Sequence, residues 1–467
     1  MTAGGATGRP DASGGPAREH VPAGAGFLTT SAGLIAGKVV SLGVGFLFWV
    51  LAARAADVRD VGVAAGAVSL MMLTTQLGIA GTGSAFILSH QGEQDRRRRL
   101  LDTAVTLVLL TSSGAALTAL IVVALALGDL RPVATRPLFA ACFLLMTVFG
   151  TLSILLDQVS VALGRGEQVL VRNLVGGLLT AAPLMVAPAM SWRLQAEQLF
   201  ALWVLGAAVA CAVACVQLFR GLDGYRYRPS LGRPLSGVLL RRGLPNHALT
   251  LVDRAPSLVL PVLVTEILSP QANAYWYVAW MMAWAVLVIP VSLGITLMAQ
   301  VSVPGTLRPD VVRAVRVGAL LGLVAAAGVA LVAGPVLSVL GPDYHLKGVG
   351  PLRVLLLALL PVLVLQVYYS VCRSTDRLRE ALVTGLLTGV AALLCTAAVA
   401  QDHGLTGMAW AWVAVQGGAG VCAAARLARL VPRTASSSTS APSTPPDAGS
   451  AAPSAGQARV PSRKIRA

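Results

Sequence analysis

Three ionisable residues stand inside long apolar runs. Lys38 lies in Gly37-Lys38-Val39-Val40, and Asp253 and Arg254 lie in Thr250-Leu251-Val252-Asp253-Arg254-Ala255. A charge at the centre of a bilayer costs roughly 3 kcal/mol or more, so an intramembrane ionisable residue is a functional candidate by default. An ammonium and a guanidinium attract anions, and a phosphate or diphosphate suits the guanidinium fork. The competing structural roles are that Asp253 pairs with Arg254 or Lys38, or that Lys38 snorkels to the interface. A second set carries amides, carboxylates and phenols: Gln76, Asp157, Gln158, Gln366, Tyr368, Tyr369 and Gln416. Such groups hydrogen-bond sugar hydroxyls, and they also join helices to one another. Trp276, Trp280 and Trp284 recur every four residues on one helix face. They could pack a sugar or a lipid chain, and a lipid-facing or interfacial anchor is the expected role. Glu266 falls near a helix end and is expected in solvent.

The elements that must hold these residues follow from composition. Of 467 residues 56% are hydrophobic and only 12% charged, about half the charged share of a soluble domain. The mean hydropathy is +0.75. Lipid must therefore solvate most of the chain, and the fold class is all-α integral membrane, with about twelve transmembrane helices. The expected spans are 27–53, 61–89, 101–128, 137–162, 168–190, 198–219, 245–268, 274–302, 316–341, 350–372, 380–400 and 405–428.

The formal charge of +16 comes from 36 Lys and Arg against 20 Asp and Glu. In a soluble chain that excess points to nucleic acid. Here the basic residues sit between apolar runs, so membrane lipids, not nucleic acid, are the expected partners. Connections after even-numbered spans carry eighteen basic residues, among them Arg96 to Arg99, Arg165, Arg172 and Arg373; those after odd-numbered spans carry seven. Positive charge marks the cytoplasmic side, so a multi-pass cytoplasmic-membrane protein with both termini cytoplasmic is expected.

The chain repeats itself. Asp57–Gly62 parallels Ser269–Ala274 at an offset of 212, and Leu174–Thr180 matches Leu382–Thr388 at six of seven positions at an offset of 208. Two parallel six-helix repeats around a central cavity result. The expected organisation is a disordered cytoplasmic N-terminus over 1–26, an N-lobe over 27–219, a basic linker over 220–244, a C-lobe over 245–430 and a disordered tail over 431–467. Under the repeat, Lys38 corresponds to Thr250, close to Asp253 and Arg254. The cavity candidates are Lys38, Arg254, Asp253, Gln76, Asp157, Gln366 and Tyr369.

Catalytic, cofactor and metal chemistry find no support. The six cysteines all lie in apolar runs, the five histidines are scattered, and no phosphate-binding Gly-x-x-x-x-Gly-Lys-Ser/Thr loop is present. No catalytic residue, cofactor or metal is expected, and the chain reads as a transporter rather than an enzyme.

One stretch resembles a known family. Leu51-Ala52-Ala53-Arg54-Ala55-Ala56-Asp57-Val58-Arg59-Asp60-Val61-Gly62, with Leu77-Gly78 at the end of the next span, resembles the start of polysaccharide-biosynthesis flippases. These belong to the multidrug/oligosaccharidyl-lipid/polysaccharide exporter superfamily. Ala162-Leu163-Gly164-Arg165-Gly166-Glu167 is similar to that family's inner loop, and Asp253-Arg254 with Ala274-Tyr275-Trp276 to the start of its second half. Val61-Gly62 stands where that family has an aromatic residue before glycine. The resemblance, over about 27–430, implies alternating access by two lobes and a polyprenyl-diphosphate-linked oligosaccharide as cargo, with Lys38 and Arg254 on the diphosphate and glycan-assembly enzymes as candidate partners. The first span has no carboxylate, unlike many cation-coupled drug antiporters of the superfamily. The alternatives are a small-molecule or drug exporter, of major-facilitator or cation-coupled type, and a membrane glycan polymerase. Ser89 to Arg99 lacks the glycine pattern of the major facilitators, and no outer connection is long enough for a polymerase's catalytic loop.

Overall fold

A computed structural model describes residues 42–89, 94–163, 165–187, 192–222, 225–300 and 307–430. Lys38 and the segments read as terminal tails lie outside the described residues. Fourteen helices account for nearly all of the described chain: α1 (Leu42–Ala55), then α2 (Val58–Ile79), α3 (Thr82–Ser89), α4 (Gln94–Ala126), α5 (Pro132–Thr135), α6 (Pro137–Ala162), α7 (Gly166–Val186), α8 (Ala196–Gly221), α9 (Arg233–Ile267), α10 (Pro270–Gln300), α11 (Leu307–Leu340), α12 (Pro342–Leu356), α13 (Leu359–Ser374) and α14 (Leu378–Leu430).

Lipid offers no partner for a free peptide group, and a helix satisfies its own backbone. Nine described helices are long and apolar enough to cross a membrane; α12 and α13, bent by 46° at their junction, make a tenth when counted together as one broken span. The 53 residues of α14 would run about 80 Å if straight, more than twice a bilayer core. Gly404 divides them, with φ 58° and ψ −155°, a backbone conformation essentially confined to glycine. Counting α14 as two passes brings the crossing segments among the described residues to eleven, beside which α1 is a shorter apolar helix. Leu125, Leu331 and Val421 are 71–83% exposed, as lipid-facing side chains must be.

Local signals set several helix starts. Proline occupies the first turn of α5, α6, α9 and α12, where its missing N–H costs nothing. Gln195 and Gln198 form a reciprocal capping box on α8. Proline in the first turn also starts α9 at Arg233, inside the 220–244 stretch read as a linker; only residues 222–232 separate it from α8.

The interior is divided unevenly along the bundle. At the end carrying α5, one apolar core draws on both halves of the chain, from Trp49, Val68 and Phe143 to Tyr277, Leu355 and Met408. At the end carrying α3 it gives way to two smaller cores, one built on α3, α4 and α6 with Leu239, the other on α9, α10, α11, α13 and α14. The halves thus share one core at the α5 end, and at the α3 end α9 packs against α3 and α4, so closely that a Cβ on Gly243 would fall 2.2 Å from the Gly81 carbonyl oxygen. At the joined end, Asn273 Nδ2 donates to the carbonyl of Gly62 (2.9 Å). There a Cβ on Gly62 would come within 1.7 Å of the Pro270 carbonyl oxygen. Toward the α3 end His247 Nε2 donates to the carbonyl of Gln76 (2.7 Å) and Arg242 Nη1 to Ser89 Oγ (3.2 Å).

Candidate functional site

A cavity of about 560 Å³ lies between the halves, lined by the beginning of described α1 and by α2, α6, α7, α8, α9 and α10. Its size falls within the range of small-molecule sites. Three of the sequence candidates line it: Gln76 from α2, Asp157 from α6 and Arg254 from α9.

The charges here are unequal. Asp157 pairs with Arg172 of α7. Arg172 is 2% exposed, and its Nη1 also donates to Gln217 Oε1 (3.1 Å) and Ser160 Oγ (3.4 Å). That network fills most of the donor capacity of the guanidinium and neutralises Asp157. Arg254 has no ion-pair partner among the described residues. The described lining therefore carries one uncompensated positive charge, in a site of low effective dielectric where such a charge acts strongly.

Arg172 was read from the sequence as a connection charge that helps set orientation. The structure places it in the cavity wall, six residues inside α7. Arg373, also counted among the connection charges, is in α13, where its Nη2 donates to Thr250 Oγ1 (3.4 Å) and its Nε is buried without a partner.

Asp253 and Arg254 are adjacent in sequence but face different spaces. Consecutive helical residues point about 100° apart. Asp253 lines a second, smaller cavity of about 50 Å³ inside the second half, together with Gln366, Tyr369, Thr388 and Gln416. Gln366 Nε2 donates to both Asp253 oxygens, at 3.0 and 3.1 Å. The seven candidates thus resolve into a central group of Gln76, Asp157 and Arg254, a satellite group of Asp253, Gln366 and Tyr369, and Lys38 outside the described residues.

The tryptophan stripe of α10 is not lipid-facing. Trp276 is fully buried, Trp280 is 7% exposed, and Trp280 and Trp284 line the central cavity. Trp203 of α8 and Tyr277 of α10 join them there. A four-residue stripe has the same spacing whether it faces lipid or the interior, so periodicity could not separate these roles. Glu266 likewise has partners: its carboxylate accepts from the backbone N–H groups of Gly128 (2.7 Å), Asp129 (3.2 Å) and Leu130 (2.8 Å). It ties α9 to the connection before α5, across the two halves.

The sequence repeat has a structural counterpart. Gly176, Gly177 and Thr180 of α7 line the central cavity, and the equivalent Gly385 and Thr388 of α14 line the smaller one.

No protein-family model matches the sequence, and no curated protein does. Solved structures do match in fold. An inward-facing multidrug resistance MATE family transporter of the MOP superfamily superposes with a TM-score of 0.66 at 16% identity, covering 84% of this chain and 96% of that one. The lipid II flippase MurJ in an inward closed conformation gives 0.67 at 11% identity, covering 84% and 87%. A MOP superfamily transporter from Pyrococcus furiosus, described as having a binding pocket of reverse polarity, gives 0.55 at 13% identity, covering 86% and 96%. The chain has the fold of these membrane transporters, with two repeated lobes.

Proposed function

We propose that the chain is a flippase that moves a polyprenyl-diphosphate-linked oligosaccharide across the cytoplasmic membrane by alternating access, for cell-surface polysaccharide biosynthesis. The observation that carries this reading is the charge of the central cavity. Arg254 stands there unpaired while Asp157 is neutralised by Arg172. A site with net positive charge favours an anionic head group and repels an organic cation. Gln76, Asp157 and Asn173 in the same lining offer hydrogen bonds to sugar hydroxyls. Lys38 and Arg254 take the diphosphate.

The α3 end is the cytoplasmic end in this reading, with both termini on that side. The cargo enters there, and the joined α5 end must part to release it. Asp253 with Gln366 and Tyr369, lying outside the central cavity, is the group to test for ion coupling.

A small-molecule or drug exporter is the second reading. It is favoured by the aromatic lining and by the shared fold with a multidrug transporter. Thermal unfolding of the purified protein in detergent separates the two. A ligand that binds only the folded state raises stability by about 2.7 kcal/mol at a hundred times its Kd. A polyprenyl-diphosphate sugar is expected to raise the melting temperature and lipophilic organic cations are not. The opposite pattern selects the exporter.

A further inference from the structure

We infer that Trp203 and Trp284, facing the central cavity from opposite lobes, form a clamp for the saccharide of the cargo. The inference rests on the flippase reading and specifies which part of the cargo these rings hold.

Both rings are half-buried and line the cavity, Trp203 from α8 and Trp284 from α10. Trp203 is backed by other rings: Phe48 meets it edge-on at 5.5 Å between centroids, and Trp49 lies 6.4 Å away. Trp280, one turn from Trp284, is stacked on Trp276 at 5.8 Å and meets Trp412 edge-on at 5.2 Å. Tyr277 completes the lining and is held edge-on by Trp49 at 4.9 Å. Trp203, Tyr277 and Trp280 are therefore pre-positioned by rings behind them, with Trp284 one turn beyond Trp280, and ordering Trp203 on binding costs little.

Pre-positioned indole faces beside amides and carboxylates match one chemistry closely. A pyranose ring has an apolar face of C–H groups, which suits the negative face of an indole, and a rim of hydroxyls that need hydrogen bonds. A polyprenyl chain would use the rings but offers no hydrogen bond to the polar groups of Gln76, Asp157 and Asn173 in the same lining.

Depth agrees with this assignment. Trp284 is fourteen residues into α10 and Arg254 thirteen residues from the end of α9. At 1.5 Å per residue each lies about 20 Å from the α5 end of its helix. The first sugar is bonded to the diphosphate, so a ring platform at the depth of Arg254 is where that sugar must rest. Trp203 is seven residues into α8, about 10 Å from the same end, where the following sugar would lie.

The test compares two ligands on one protein. Binding of a polyprenyl-diphosphate disaccharide and of sugar-free polyprenyl diphosphate is measured for wild type, W203L, W284L, W203F and W284F, purified in detergent. Leucine keeps apolar bulk and removes the π face. The leucine variants are expected to lose roughly tenfold in affinity for the glycan-bearing lipid, the factor for one weak stacking contact, and to keep wild-type affinity for the sugar-free lipid. The phenylalanine variants are expected to retain most of both. Equal losses for the two lipids, or none for either, would overturn the clamp while leaving the flippase reading intact. Wild type that binds neither lipid would overturn the flippase reading, and the clamp with it. Where the leucine variants do not fold, W203M and W284M, which also lack a π face, take their place, a selective loss for the glycan-bearing lipid supporting the clamp and an unselective loss or none opposing it.

Discussion

Arg172 and Glu380 occupy equivalent positions of the two repeats and carry opposite charges. They lie 208 residues apart, the same offset that aligns Leu174–Thr180 with Leu382–Thr388. Their partners are equivalent too. Arg172 donates to Ser160, twelve residues before it, and to Gln217, 45 after it. Glu380 accepts from Tyr368, twelve before it, and from Arg426, 46 after it. In each lobe one ionised side chain ties three successive transmembrane segments together, by donating in the first and by accepting in the second. The proposed alternating access would move each lobe as a unit, which these ties favour.

The two networks differ in burial, and this sets their cost of removal. Breaking a buried ion pair by deleting one partner costs about 3–5 kcal/mol, whereas a partly exposed pair is worth about 1 kcal/mol or less. Arg172 is 2% exposed, against 28% for Glu380 and 39% for Arg426. Asp157→Ala is therefore expected to lower the melting temperature in detergent more than Arg426→Ala. The double variant Asp157→Ala/Arg172→Ala should be less destabilised than the sum of its single variants. Additive losses across that cycle would mean the pair is not coupled.

The joined end makes a second prediction. Glu266 accepts three backbone N–H groups from the other lobe. An amide at this position keeps one accepting oxygen and brings unwanted donors. Glu266→Gln should weaken closure at the α5 end. With the native cysteines replaced and Ser69→Cys lining the cavity, a membrane-impermeant thiol reagent added from the α5 side should label the variant several-fold faster. Unchanged labelling would assign Glu266 a purely local role.

Gly62→Ala should act in the same direction. The added Cβ would collide with the Pro270 carbonyl at 1.7 Å, and a backbone neighbour cannot swing aside as a side-chain tip can. The lobes must separate locally. The measurement is the same labelling rate, and a variant that labels like wild type would show that the contact yields without opening.

Asp253→Asn addresses coupling. The carboxylate lies in the satellite cavity, hydrogen-bonded to Gln366 and apart from the central lining. Asparagine removes the charge and retains the size. Cargo affinity should remain near wild type while acceleration of transport by an imposed ion gradient is lost. Loss of affinity with retained ion dependence would reverse the roles of the two cavities.

Much of the fold was legible in the sequence because the bilayer imposes length and polarity on every crossing. The expected spans from 61–89 onward fall on the observed helices, including the bent α12–α13 pair and the two halves of α14, and the described part of 27–53 falls on α1. Arg254 and Asp157 were legible as cavity candidates because a charge in an apolar run is costly. Arg172 was missed in that role because it follows the polar turn Gly164-Arg165-Gly166-Glu167, and hydropathy cannot separate an interfacial arginine from one six residues inside a helix. The repeat held the missing signal, since it aligns Arg172 with Glu380 at the head of another apolar span. The two spaces faced by Asp253 and Arg254 were legible only as a 100° difference in helical direction, with no sequence cue to what lay on either side.

The central claim is that the cavity carries an anionic lipid-linked glycan on Arg254, with Lys38. Flipping of a fluorescent polyprenyl-diphosphate sugar in proteoliposomes tests it most directly, with wild type beside Arg254→Ala and Lys38→Ala at matched insertion. Wild type is expected to flip the lipid and each variant to lose at least about tenfold in rate, the factor for roughly 1.4 kcal/mol of lost stabilisation. Flipping by Arg254→Ala at the wild-type rate, or none by well-folded wild type across several glycans, would contradict it.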